Sequence, residues 1–467
     1  KSVLCTSYIL SNFATENKSQ GSCNFNKNQI NVTMRKLVYK NLPKYYYMKT
    51  TLLSILLGSC TLPMLHAQEN YVSEVWVADQ GNGTYKNPVL YADYSDPDVI
   101  RVGEDYYLTS SSIGCLPGLQ ILHSKDLVNW HIAGVAIPHS LPPVTDIAPQ
   151  HGNRVWAPCI RHHNGLFYIF WGDPDQGIFM VKAKDVKGPW SEPVLVKASK
   201  GIIDPTPLWD DDGRVYLAHA YAGSRAGLKS VIAVCEMNTD ATRVISPSHI
   251  VFDGHEAHQT CEGPKLYKRG GYYYMFFPAG GVPTGWQVVA RSKNIYGPYE
   301  WRTVLAQGDS PVNGPHQGGW VDTPSGENWF MHFQDVGAAG RLVHLQPMKW
   351  VDEWPVIGED KGGDGCGEPV FTWKKPNVGE TYPICTPQES DEFNTNLLGL
   401  QWQWNANIND QWYFCDQEHG RLRLYSYPVT ESYKSLWDVP NMLLQKFPAP
   451  SFKGTMKLKF TPSAKYK

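Results

Sequence analysis

Short apolar runs, each closed by a turn signal, dominate the chain from about residue 85 onward. One phrase recurs five times: a polar turn followed by an aromatic-rich run, as in VGEDYYLTSS, HHNGLFYIFW, DDDGRVYLAH, KRGGYYYMFF and PSGENWFMHF. Runs this short, bounded by Gly, Asp and Asn, predict strands and hairpins rather than helices. The pattern therefore predicts an all-β chain.

The five phrases form a repeat with a period of roughly 50 to 60 residues, which lies in the range of propeller blades. Most are followed by a second run that ends in a turn, such as QVVARSKNIYGPY. A unit of this size cannot bury both of its own faces, so five of them predict a five-bladed β-propeller. A β-sandwich with coincidental spacing is the alternative. The equivalent aromatic residues are Tyr107, Tyr168, Tyr216, Tyr274 and Phe330.

The repeat also aligns five residues at the start of each unit's first strand, 11 to 14 positions before the marker aromatic. In a propeller the first strand of every blade lines the central channel. We therefore expect these five side chains to converge on one pocket at one end of that channel. They are Asp96, Trp156, Asp204, Glu262 and His316.

The three acids among them share a local sequence, because each is followed directly or after one residue by proline and then an apolar strand. Hydrolysis of a glycosidic bond needs such groups: one carboxylic acid protonates the leaving oxygen, and one carboxylate activates water or attacks carbon. A third negative charge nearby disfavours ionisation of the acid and keeps it protonated. Asp96, Asp204 and Glu262 can divide these tasks.

Three further residues suit a neutral sugar. Trp156 offers a flat apolar face to the C–H surface of a sugar ring. His316 can donate to a hydroxyl or hold a water molecule. Arg341, in AAGRLVHLQ, can fork onto vicinal hydroxyls or orient a carboxylate.

Charge and composition limit the classes of molecule that the protein is expected to bind. The formal net charge of -2 argues against nucleic acid or an anionic membrane surface as the main partner. Aromatic residues make up 13% of the 467 residues, with 17 Trp and 26 Tyr, which suits a large β fold or a sugar-stacking surface. Seven cysteines follow Ala67 and none forms a CxxC pair, so neither zinc nor a full disulfide framework is indicated, although one bridge such as Cys366 to Cys385 is allowed.

The N-terminal region needs separate treatment. Residues 48–67 have a basic start, a short apolar run and a small residue at the end, which predicts a signal peptide and export to the periplasm or the extracellular space. The LLGSC stretch ending at Cys60 also resembles a lipoprotein box, so a lipid-anchored protein is an alternative. We interpret residues 1–47 as a non-native or unstructured extension. No other apolar run is long enough to span a bilayer.

The motifs resemble glycoside hydrolase family 43, whose members are five-bladed propellers that invert anomeric configuration. The resemblance runs from about Asn87 to Trp354 and includes NPVLYADYSDPDVIRVGEDYYLTSS, VWAPCIRHHNGLFYIFW, IIDPTPLWDDDGRVYL, CEGPKLYKRGGYYYMFF and GPHQGGWVDTPSGENWFMHF. It implies that Asp96 is the general base, Glu262 the general acid and Asp204 the residue that tunes the pKa and orients the acid, with Asp98 structural. No cofactor is required, but some members hold calcium near the residue that matches His316, so calcium is plausible.

Domain boundaries follow from composition and from the same resemblance. The propeller is expected over 85–360 and a Gly- and Pro-rich linker over 361–387. Residues 388–467 look like the opening of the concanavalin-like β-sandwich found in the xylosidase and arabinofuranosidase branch. With about 80 residues, that domain is expected to be incomplete, which leaves its contribution to the pocket rim open.

The resulting hypothesis is an inverting, exo-acting glycosidase that removes terminal β-D-xylosyl or α-L-arabinofuranosyl units from plant hemicellulose oligosaccharides. The sequence does not separate the two sugars. Two alternatives stay open: a propeller that binds carbohydrate without cutting it, and an endo-arabinanase.

Overall fold

The computed structural model describes residues 71–143, 148–428 and 430–460. The predictions made for residues 1–47 and 48–67, including the signal peptide and Cys60, lie outside these ranges and stay predictions. Within the described residues, no helix is long and apolar enough to cross a membrane. Within the described part of the chain, no disulfide joins Cys366 to Cys385, so the bridge that the sequence allows is not formed.

Five four-stranded antiparallel sheets follow one another along the chain, which confirms the five-bladed propeller. A short strand, β1 (Thr84–Lys86), precedes them. The first blade contains β2 (Asp98–Val102), β3 (Asp105–Thr109), β4 (Gly118–Ser124) and β5 (Trp130–Ile137). The second contains β6 (Trp156–His163), β7 (Leu166–Asp173), β8 (Gly177–Ala183) and β9 (Val194–Ala198).

The remaining blades repeat this order. The third contains β10 (Ile202–Trp209), β11 (Val215–Tyr221), β12 (Val231–Met237) and β13 (His249–Asp253), with a short helix, α1 (Gly223–Ala226), between β11 and β12. The fourth contains β14 (Lys265–Arg269), β15 (Tyr272–Ala279), β16 (Trp286–Ser292) and β17 (Glu300–Leu305). The fifth contains β18 (His316–Asp322), β19 (Asn328–Asp335), β20 (Arg341–Val351) and β21 (Trp354–Ile357), with a 3-10 turn at Gly337–Ala339.

The recurring phrase of the sequence is the hairpin between the first and second strands of each blade. Two of these hairpins turn through a pair of residues that both have left-handed backbone, Asn164–Gly165 (φ 49° and 74°) and Gly270–Gly271 (φ 57° and 78°). Turns of this kind match the twist of the flanking strands and require residues that tolerate positive φ. Since the recurring phrase spans this hairpin, the marker aromatic of each blade lies on its second strand.

The hydrophobic core consists of layers between neighbouring blades. In β7, Phe167, Ile169 and Trp171 pack against the first blade, whereas Tyr168 and Phe170 pack against the third. Successive side chains of a strand point to opposite faces, and both faces of this strand are buried. That is why the second strands read as continuous apolar runs instead of alternating ones.

The C-terminal part is β-sandwich-like and contains short antiparallel pairs. β22 (Thr372–Lys374) pairs with β1, so the segment predicted as a linker contains a strand. β23 (Gln403–Trp404) pairs with β26 (Leu443–Leu444), and β24 (Tyr413–Asp416) pairs with β25 (Arg421–Leu424). Three 3-10 turns accompany them, at Asp410–Trp412, Gln417–His419 and Leu436–Asp438. Trp404 also pairs with Leu116 of the propeller through two backbone hydrogen bonds, of 3.0 and 2.5 Å.

Candidate active site

Each blade has a residue with left-handed backbone within its first strand or just before it. Four of these residues precede a proline and the fifth, Gln317, precedes Gly318. Proline forces the residue before it out of the right-handed helical region, and the same step recurs at the top of every blade. The five residues are Asp96 (φ 53°), Ala157 (φ 35°), Asp204 (φ 57°), Gly263 (φ 61°) and Gln317 (φ 32°).

In three of the blades, the left-handed residue lies one position after the residue that the sequence pattern aligned there. Trp156, Glu262 and His316 each stand one position before the left-handed residue, whereas Asp96 and Asp204 occupy it. The pairing between first and second strands shifts near this point, for example between Trp156 and Cys159. Such shifts occur in the second, third and fifth blades, so a fixed count back from the marker aromatic does not locate the equivalent residue to within one position.

The expected convergence does occur. Asp96, Asp204, Glu262, Trp156 and Arg341 all line one pocket of about 250 Å³. His316 does not line it, because its side chain is only 1% exposed and lies behind Glu262.

Asp96 is held by three hydrogen bonds. Its Oδ1 accepts from Nη1 of Arg341 at 2.7 Å, and its Oδ2 accepts from Ser111 Oγ at 2.6 Å and from Ser95 Oγ at 3.0 Å. Arg341 also donates to Ser95 and lies 4.7 Å from the ring centre of Phe333. Of the two roles predicted for Arg341, the structure places it in contact with a carboxylate.

Asp204 is the most enclosed of the three acids. It is 3% exposed, and its Oδ2 accepts the backbone N–H of Gly263 at 2.7 Å. Burial, and then the negative charge of Glu262, raise the pKa of Asp204 well above its usual value, while the Gly263 hydrogen bond acts in the opposite direction. Asp204 therefore keeps its proton to a higher pH than an exposed aspartic acid would.

Glu262 is more accessible, with 27% of its side chain exposed. Its Oε1 lies 3.1 Å from Nε2 of His316, and which of the two groups donates depends on the tautomer of the ring. The other carboxyl oxygen makes no hydrogen bond with the residues that the structure describes. That oxygen is available to a substrate.

Trp156 opens β6 at the pocket wall. Its indole packs against Ile203, Ala220 and Ala222, and its N–H donates to the carbonyl of Gly152 at 3.1 Å. The side chain stays partly exposed. One face is therefore supported by the fold while the residue contributes apolar surface to the pocket.

Asp98, which was expected to be structural, faces the centre of the propeller. It is completely buried, and its Oδ2 accepts from the backbone N–H of Ile160 at 2.8 Å and from Arg161 Nη1 at 2.7 Å. It does not line the pocket.

Several pocket residues escaped the sequence analysis. Ser111 binds Asp96 and also accepts the N–H of Ala157 at 2.8 Å. The only sequence signal for it is a run of three serines after β3. The C-terminal segment contributes Gln403, Asn405 and Lys446 to the lining. It also supplies Trp437, which stacks on His151 of the pocket wall with ring centres 3.8 Å apart.

The calcium prediction finds little support in the donor set. Calcium prefers six to eight oxygen ligands. His316 offers a ring nitrogen, Nδ1, that has no hydrogen-bond partner among the residues that the structure describes. No group of three or more His, Cys, Asp or Glu residues among those described is arranged to hold a metal. These residues do not form a calcium site by themselves, and no step below depends on one.

Both parts of the chain match known protein families. The family model for glycosyl hydrolases family 43 matches residues 85–355, and the model for the β-xylosidase C-terminal concanavalin A-like domain matches residues 390–467. A putative β-xylosidase from Xylanibacter ruminicola is 43% identical over 383 residues, which cover 81% of this chain and 69% of that protein.

Two further relatives extend the comparison. A non-reducing end α-L-arabinofuranosidase from Bacteroides ovatus is 29% identical over 83% of this chain and 73% of its own length. A crystal structure of a mutant family 43 protein from Bacillus licheniformis superposes with a TM-score of 0.66 and 30% identity, covering 78% of this chain and 72% of that one. With a propeller of five blades, three acids in one pocket and both domain models matched, the chain belongs to glycoside hydrolase family 43 and is a glycoside hydrolase.

Proposed function

We propose that the chain is an exo-acting, inverting glycosidase that releases terminal β-D-xylosyl or α-L-arabinofuranosyl units from hemicellulose oligosaccharides. The observation that carries this proposal is the convergence of three carboxyl groups with different surroundings in one pocket. The relatives named β-xylosidase and α-L-arabinofuranosidase support this choice of sugars.

Asp96 serves as the general base. It accepts three hydrogen bonds, one of them from a guanidinium, and these contacts fix the orientation of its carboxylate in the pocket. An ionised, oriented carboxylate can remove a proton from a water molecule as that water attacks the anomeric carbon.

Glu262 serves as the general acid. It is the most exposed of the three acids, and one of its oxygens has no hydrogen-bond partner among the described residues. It donates its proton to the leaving oxygen, and Asp204, the most buried of the three acids, orients it.

The pocket favours removal of an end unit. Its wall includes the segment around His151 and the C-terminal residues Gln403, Asn405 and Lys446, so it is bounded by both parts of the chain. A pocket bounded in this way suits the end of a chain, whereas an endo-acting enzyme needs a cleft open at both ends.

The test uses aryl β-D-xylopyranoside and aryl α-L-arabinofuranoside with the wild type and with Asp96→Asn. We expect release of the aryl alcohol by the wild type and a loss of at least about 10²-fold in the variant. The ratio of the two rates identifies the sugar, and NMR of the first product identifies the anomer. Inverted configuration supports the mechanism, and retained configuration refutes it.

Two other outcomes point to the rival functions. Sugar binding without turnover would indicate a carbohydrate-binding propeller. Turnover of long arabinan but of neither aryl glycoside would indicate an endo-acting enzyme.

A further inference from the structure

Gln317 lines the pocket, but the reaction proposed above does not use it. It lies at the start of the fifth blade and occupies the same left-handed position that Asp96 and Asp204 hold in the first and third blades. It lines the same pocket although the whole residue is only 2% exposed. By the pseudo-symmetry of the blades, its backbone occupies the position of the two aspartates.

The amide of Gln317 makes no hydrogen bond with any residue that the structure describes. Its Nε2 is buried and has no acceptor. Buried polar groups nearly always have a partner, and an exception requires an explanation. A positive φ at a residue other than glycine adds strain, and strain of this kind is concentrated at functional sites.

The amide lies against the peptide that joins Glu262 to Gly263. A Cβ built on Gly263 would come within 2.7 Å of Cδ of Gln317, so glycine leaves the room that the amide occupies. The N–H of the same glycine donates to Asp204. The unpartnered amide therefore lies against the peptide that follows Glu262 and whose N–H binds Asp204.

We propose that Gln317 is a substrate-binding residue whose amide forms a hydrogen bond with one hydroxyl of the sugar ring held beside Asp204 and Glu262. The proposal rests on the function proposed above. A hydroxyl both donates and accepts, so it is compatible with either end of an amide. Gln317 is uncharged at every working pH, which suits a neutral ring and would give no preference for an ionic one.

The test is a set of monodeoxy substrates. The wild type, Gln317→Met and the matched control Gln287→Met are assayed on the preferred aryl glycoside and on its analogues lacking one ring hydroxyl. Gln287 is also a buried amide with one unpartnered atom, but it lies outside the pocket.

We expect Gln317→Met to lower kcat/KM on the parent glycoside by about tenfold, the typical effect of one lost hydrogen bond. On the one analogue that lacks the bound hydroxyl, wild type and variant should react equally, while the other analogues keep the tenfold difference. A variant within twofold of the wild type on the parent, or one with the same deficit on every analogue, overturns the proposal. Gln287→Met should match the wild type throughout.

A binding arm separates failure of this inference from failure of the proposed function. Dissociation constants of D-xylose and L-arabinose are measured by calorimetry in the Glu262→Gln background, with and without Gln317→Met, so that turnover is not needed. If the wild type hydrolyses neither glycoside, the proposed function fails. A roughly tenfold weaker binding in the double variant still supports the role of Gln317, whereas an unchanged constant or the absence of binding overturns it.

Discussion

Ser111 Oγ lies 2.6 Å from Oδ2 of Asp96 while it accepts the backbone N–H of Ala157, so one hydroxyl joins the base to the neighbouring blade. Ser111→Ala removes both contacts. We expect kcat to fall about tenfold because the base loses one of its three hydrogen bonds, and the free energy of unfolding to fall by about 1–3 kcal/mol because a buried N–H loses its partner. Steady-state kinetics and urea unfolding measure the two effects.

The control for this variant is Thr109→Val, which removes a buried hydroxyl bond to Gln120 on the strand leading to Ser111. It should lower stability without a tenfold loss of kcat. Equal losses of kcat in both variants would mean that Ser111 acts only through the fold.

Glu262→Gln tests the acid through the leaving group. A leaving oxygen of high pKa needs a proton, so turnover of xylobiose should fall by about 10²–10⁴-fold. A dinitrophenyl glycoside departs without protonation and should lose far less. Rates on a series of aryl glycosides check this expectation, and a loss that is uniform across the series would make Glu262 a structural residue.

Asp204→Asn tests the raised pKa through stability. Because the pKa of Asp204 in the folded chain lies above the ordinary aspartate pKa of about 3.9, the stabilisation that this group contributes is complete below about pH 4 and declines as pH rises towards the folded pKa. Asparagine does not titrate and lacks this decline. The variant should therefore gain Tm relative to the wild type at pH 8 but not at pH 4.

With an unfolding entropy of about 2.1 cal/mol/K per residue, a gain of about 1 °C would correspond to roughly 1 kcal/mol in a chain of this length. Thermal unfolding at several pH values measures it. A difference in Tm that does not depend on pH would show that the pKa of Asp204 is not raised.

Asp98→Ala should be among the most destabilising changes outside the pocket. It leaves Arg161, whose side chain is 13% exposed, without its carboxylate, and breaking a buried ion pair in this way costs about 3–5 kcal/mol. The double variant Asp98→Leu with Arg161→Met should recover much of the loss because no charge remains buried. Asp322→Ala, which breaks a more exposed pair with Arg101, should cost less than about 1 kcal/mol.

The repeat explains how much of this site was predictable. Each acid is followed directly or after one residue by a proline, and 11 or 12 positions later by the marker aromatic of the same blade. The positions of Asp96, Asp204 and Glu262 therefore follow from local sequence. The residues that contact these acids or complete the pocket do not follow from local sequence. Ser111 lies 15 positions from Asp96, on the other side of the first hairpin of the blade. Gln403 and Lys446 enter the pocket from the C-terminal domain. Contacts over such separations leave no periodic trace.

His316 shows a second limit. Its place at the start of a first strand suggested a pocket residue, but a shift of one position directs its neighbour Gln317 into the pocket and leaves His316 behind Glu262. Single-residue irregularities of a strand exchange which side chain faces the site. Pattern alone does not locate them.

The contact between Arg341 and Asp96 has a consequence for how the protein is made. These residues are 245 positions apart, on the last and first blades, and their hydrogen bond crosses the junction where the ring closes. A growing chain with four blades formed already contains Asp96, Asp204 and Glu262, but the guanidinium that orients the base has not yet arrived. Hydrolysis therefore begins only when the fifth blade joins the first, and the onset of activity during refolding reports the moment of ring closure.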